Sequence, residues 1–192
     1  MNSLFFNYFT MSQQFEMESN PNISFEDQFN NQDILDFLGG TLEVVDAIPE
    51  KRKTEIPTLV CPGWGEDYDT FKDSLRVLFN ASRRVISLRH VEQRVPLELR
   101  EREREYSVAE LRKSRALEAV LDSKQIRYVD IVAHSEGAIN ATVFSILHPE
   151  RVHALLLVNP AGLIGKDSFS RLAGRYLINI ITGIHGALTS SE

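Results

Sequence analysis

With 192 residues, 43% of them hydrophobic, the chain has the length and apolar content of one folded domain, which excludes wholesale disorder. A formal net charge of -6 argues against nucleic acid or an anionic membrane surface as the main partner. The single cysteine, Cys61, excludes an intrachain disulfide, and its apolar setting reads as a buried structural thiol.

The opening "MNSLFFNYFTMSQQFEMESN" carries phenylalanines but no Lys or Arg ahead of a continuous apolar run, so it does not read as a signal peptide. Asn, Gln, Ser and Glu dominate from Ser12 to Gln32, and no period of 2 or 3.6 persists there. The expectation for residues 1–32 is a poorly ordered leader. "DILDFLGGTLEVVDA" has two short apolar runs around Gly39-Gly40, a hairpin signal. "IPTLVCPGWG" (56–65) is a continuous apolar run ending in Pro and Gly, as a buried parallel strand would. The helix predicted next places Tyr68, Phe71, Leu75, Leu78 and Phe79 on one face. "RRVISLRH" (83–90) reads as a strand.

"PLELREREREY" (96–106) alternates Arg and Glu. Arg100, Arg102 and Arg104 could form a phosphate clamp, but a solvated, self-neutralising stretch is the simpler expectation. "SVAELRKSRALEAVLDSK" is a helix that Ser107 caps, with Leu111, Ala116 and Val120 near the helical period. "RYVDIVA" is a strand, "GAINATVFSILH" a helix, and "VHALLLVNP" (152–160) a further buried strand. Alternating strands and helices predict an α/β fold with a mainly parallel sheet and flanking helices. The apolar stretch 176–188 is shorter than the roughly 20 residues a bilayer span needs. No membrane span and a cytoplasmic location are expected. Gly63-x-Gly65 lacks the third glycine of a dinucleotide fingerprint, because Tyr68 stands in its place. No His/Cys metal spacing occurs, and no cofactor is expected.

The chemistry concentrates at "DIVAHSEGAIN" (130–140), where a strand becomes a helix at Ser135. A side chain at the tip of that turn is pushed above the carboxyl end of the sheet. The crowded backbone requires small residues two positions away, here Ala133 and Gly137, and helix N-terminal N–H groups face whatever binds Ser135. These are the needs of an acyl-transfer nucleophile. In this the chain resembles the α/β-hydrolase superfamily, whose Gly-x-Ser-x-Gly elbow reads "AHSEG" here, with Ala133 in place of the first glycine. "VCPGWGEDYDTF" is similar to the family's oxyanion loop, and "LHPERVHALLLVNPAG" to its passage into the next strand. A serine in such a turn can arise by coincidence in an unrelated sheet protein. The order of these three segments argues against that.

The resemblance implies a serine hydrolase that cleaves an ester or related acyl bond of a small-molecule substrate through a Ser135 acyl-enzyme, in the manner of a carboxylic ester hydrolase. It implies an oxyanion hole made by the Trp64 and Glu136 amides, and disfavours epoxide-hydrolase and dehalogenase chemistry, where a carboxylate attacks. It divides the chain into a core over 33–169 and the start of a cap or lid over 170–192. The family's acid and histidine follow later strands, so the expectation is an incomplete hydrolase with little ester turnover by itself.

Among the histidines present, His153 and His148 lie roughly 20 Å and 18 Å from the site by strand and helix rise. His134 reads as structural support, leaving His185 or His90 as candidates for the base. Asp167 or Glu136 is a candidate for the acid. The alternative is a non-catalytic binding or interaction protein that keeps the fold without a working triad. An apolar edge at 152–160 would favour self-association.

Overall fold

The computed structural model describes residues 24–90 and 97–162. Residues 1–23, and the expected cap at 170–192 with His185, lie outside the described residues, as does Asp167.

The first described element corrects the leader expectation. Residues 24–32 are ordered, and α1 (Phe25–Phe29) is closed by a capping box between Ser24 and Asp27. Phe25 and Phe29, one turn apart, are buried against Phe79 and Tyr68. Glu26 pairs with Lys72 and Arg76. The Gln28 amide brackets the Ile48 backbone, accepting from its N–H at 2.7 Å and donating to its carbonyl at 3.1 Å. Local polarity hid a helix whose two aromatic side chains bury it.

β1 (Asp33–Phe37) and β2 (Gly40–Ala47) form the expected hairpin, paired from Phe37↔Gly40 to Asp33↔Val44. Its turn is Leu38-Gly39, one residue earlier than the glycine pair suggests. Both residues have positive φ, 48° and 72°, the requirement of a type I′ turn. β3 (Thr58–Cys61), α2 (Lys72–Asn80), β4 (Val85–His90), α3 (Val108–Ser123), β5 (Val129–His134), α4 (Gly137–Leu147) and β6 (Val152–Val158) then follow. Ser107 caps α3 as expected, in a reciprocal box with Glu110.

The sheet order is β1-β2-β4-β3-β5-β6. β4, β3, β5 and β6 run parallel, and the hairpin adds an antiparallel arm through β2 and β4. Residue alternation sorts the two faces. Leu59, Cys61, Ile86, Ile131 and Ala133 pack under α3 and α4, whereas Val60, Val85 and Val132 pack with α1 and α2. Because α2 and α4 leave β3 and β5 toward opposite faces, the connections diverge between the carboxyl ends of these two strands. That is the topological switch point at which open α/β sheets place their ligands. Cys61, level with Ala133 in this register, is buried, and burial pushes its thiol up to about 12, matching the structural reading.

Two expectations change on contact with the packing. The Arg/Glu stretch is not wholly solvated: Glu103 is 2% exposed, held by Arg115 and by the Arg100 N–H at 2.7 Å. Burial raises the Glu103 carboxyl, but Arg115 and the Arg100 N–H outweigh it, leaving it below the ordinary 4.5. The pair therefore stabilises the fold above that value and loses its effect as pH falls through the depressed folded-state value. Arg115→Ala strands the buried carboxylate and is expected to cost about 3 kcal/mol in urea denaturation at pH 7. An unchanged midpoint would show the pair to be incidental. β6 is a sheet edge among the described residues, the apolar edge expected at 152–160, but it is not buried on both faces: Leu156 is 58% exposed. Leu155 and Leu157 still pack on the core.

Candidate active site

β5 delivers Ser135 to the switch point. Its φ is +51°, a left-handed value that a side chain with a β-carbon adopts only at a cost. The strain is held from both sides. Ser135 N–H donates to the Val158 carbonyl at 3.1 Å, and its own carbonyl accepts from Ala161 at 3.0 Å and Ala138 at 3.2 Å. The tight reversal is possible because Gly137 lies against the exit of β3. A β-carbon there would stand 2.3 Å from the Pro62 carbonyl oxygen and 2.4 Å from that of Cys61. Ala133, two residues before the serine, is fully buried opposite Cys61.

The loop after β3 lies over the serine. A β-carbon at Gly63 would meet Ser135 Cβ at 3.0 Å and Glu66 Oε2 at 2.7 Å, so Gly63 stands between the two side chains. Glu66 N–H donates to the Gly63 carbonyl at 3.2 Å, and Gly65 has φ +72°, the value the third position of a type II turn needs. Among the described residues, neither Trp64 N–H nor Glu136 N–H has an acceptor. The Trp64 indole is 81% exposed. Beyond the turn, Arg89 pairs with Glu43, Asp67 and Asp69 and lies 4.6 Å above the Tyr68 ring. Burial, then the 2.7 Å bond to Glu43, raises the Tyr68 phenol above its ordinary value, keeping it a donor.

His134 is not free to act on Ser135. Its Nδ1 is 2.9 Å from Glu66 Oε2, and its ring lies 5.6 Å from that of Phe71. A carboxylate only accepts, so Nδ1 carries the proton. His153 is bonded to Asp130 at 2.7 Å, and His148 sits against Phe144 beyond the far end of α4. His90 closes β4, which runs parallel to β3, at the sheet end that carries the elbow. The Glu136 side chain turns toward α3, where Lys113 donates to Oε1 at 2.8 Å. Sequence reasoning missed Glu66 and Lys113. The Gly63–Glu66 spacing of a turn was the available signal for the first, and the second depends on helix packing. Among the described residues, no His, Cys, Asp and Glu group could hold a metal ion.

No family model and no curated protein matches the chain in sequence. Solved structures do match in shape. A probable hydrolytic enzyme from Pseudomonas aeruginosa superposes with TM-score 0.54 at 24% identity, covering 82% of this chain and 52% of its own. The chain has the α/β-hydrolase fold. A CIB-like hydrolase from Thermoplasma acidophilum matches at TM-score 0.55 and 12% identity, over 70% of this chain and 64% of its own. A Vigna radiata epoxide hydrolase mutant matches at 0.54 and 19%, over 71% and 40%. The chain thus spans about half the length of these α/β-hydrolase structures, all of which are hydrolases by name. No helix among the described residues is long and apolar enough to cross a membrane.

Proposed function

We propose that the chain is a serine hydrolase acting on an ester or related acyl bond, with Ser135 as nucleophile. The observation that carries this reading is the strained +51° φ of Ser135 at the strand-to-helix turn, beneath a loop with an uncommitted N–H. Strain at a non-glycine residue persists where surrounding structure enforces it, and such sites cluster where chemistry is done.

In this reading the Ser135 hydroxyl attacks the acyl carbon as a histidine base takes its proton. The Trp64 and Glu136 N–H groups hold the oxyanion, each contributing about 3 kcal/mol to the barrier reduction. The protonated base then returns the proton to the departing alcohol, and water resolves the acyl-enzyme by the same route. His90 and His185 are the candidates for the base. A serine at the elbow tip, in place of an attacking carboxylate, separates this reading from epoxide opening despite the shared fold. An apolar 170–188 stretch acting as a lid would favour an apolar acyl or alcohol group.

The test is a fluorophosphonate probe, which reacts only with an activated hydroxyl. With His90 or His185 supplying the base, a covalent adduct is expected; a binding protein with an idle serine takes none. We further propose that β6 mediates self-association, because Leu156 and Val158 are exposed on a strand whose outer edge is unpaired among the described residues. Sedimentation velocity is expected to show concentration-dependent dimers or larger species, and Leu156→Lys to reduce them. A wild-type chain that stays monomeric at high concentration would remove this proposal.

A further inference from the structure

Glu66 is engaged by more of the site than any role in folding the local turn requires. Its main-chain N–H closes the 63–66 turn on the Gly63 carbonyl at 3.2 Å. Its side chain returns to the start of the same turn, accepting the Gly63 N–H at 2.7 Å. The same oxygen takes the Nδ1 proton of His134 at 2.9 Å, and His134 is the residue immediately before Ser135. One carboxylate oxygen therefore ties the loop after β3 to the strand end that carries the nucleophile.

The bonding pattern sorts the donors of the loop. The N–H groups of Gly63 and Glu66 are both consumed within the turn, whereas those of Trp64 and Gly65 have no acceptor among the described residues. With its ends fixed, the turn holds the Trp64 N–H in one orientation. An oxyanion hole needs such preorganisation, since a donor that must reorient during reaction loses much of its effect. We propose that Glu66 is a positioning residue, whose carboxylate bridges Gly63 N–H and His134 to hold the Trp64 amide in register with Ser135. This rests on the serine-hydrolase reading and names a residue that sets the geometry of that same site.

The test compares rates of fluorophosphonate labelling at Ser135 in the wild type, Glu66→Ala and Glu66→Gln, with thermal melts alongside. Alanine removes the bridge and is expected to slow labelling about 10- to 100-fold, somewhat less than outright loss of an oxyanion donor. Glutamine keeps one side-chain oxygen that can accept from both Gly63 N–H and His134 Nδ1–H. It is expected to label within about threefold of wild type. Amide hydrogen exchange reports the bridge directly: Gly63 N–H should lose protection in Glu66→Ala and keep it in Glu66→Gln. Wild-type labelling that persists unchanged in Glu66→Ala would overturn the positioning role and leave the serine-hydrolase reading intact. Equal slowing in both variants, matched by equal loss of melting temperature, would make Glu66 merely structural. Absence of Ser135-dependent label in the wild type would overturn the hydrolase reading and this proposal with it.

Discussion

Gly137→Val is expected to prevent the chain from reaching its native state. The new β-carbon would fall 2.3 Å from the Pro62 carbonyl oxygen, 2.4 Å from that of Cys61 and 2.9 Å from the Pro62 carbonyl carbon. All three atoms are backbone, so no side chain can swing aside to admit it. Neither wall can retreat easily. Cys61 is locked in the sheet opposite Ala133, and α4 is held against the sheet by fully buried Ala138, Ala141 and Phe144. Overpacking of well-packed sites costs roughly 1–3 kcal/mol and more where backbone must shift, so about 4 kcal/mol is expected here. The measurement is soluble yield with a thermal melt followed by circular dichroism. A variant that melts cooperatively at the wild-type temperature would contradict the close approach of α4 to the exit of β3, and with it the elbow.

Elements whose identity is local were legible in the sequence. Ser107 and Glu110 mark the start of α3 by their own spacing, and the small residues around Ser135 announce a crowded turn. Other features are properties of contacts distant in sequence. Nothing in the β3 segment states that it lies between β4 and β5, yet that order sets the switch point at which Ser135 stands. Helix α1 was missed because one i, i+4 pair of phenylalanines is too short a period to read. Its partners Tyr68 and Phe79 come 39 and 54 residues after Phe29 and Phe25, although the Ser24–Asp27 capping box was visible in the sequence. The burial of Glu103 depends on Arg115 of α3 in the same way. In the candidate site, motif order is what names Ser135, Trp64 and Glu136, whereas the Glu66–His134 bond joins residues 68 positions apart and is visible only in the fold.

The second large effect concerns chemistry rather than stability. Ser135→Ala keeps a β-carbon at the same +51° φ, so the strain, the Val158 and Ala161 hydrogen bonds and the fold should be retained. What disappears is the hydroxyl, and with it every covalent step. Loss of a nucleophile in such a site removes several orders of magnitude in rate, so labelling should fall to background while the melt stays within a few degrees. The direct measurement is intact mass and peptide mapping of wild-type and Ser135→Ala protein after exposure to a fluorophosphonate. One phosphonyl adduct per wild-type chain is expected, confined to the peptide containing Ser135, and none in the variant. A folded wild-type chain that takes no adduct, or an adduct that persists in Ser135→Ala, would contradict the serine-hydrolase reading.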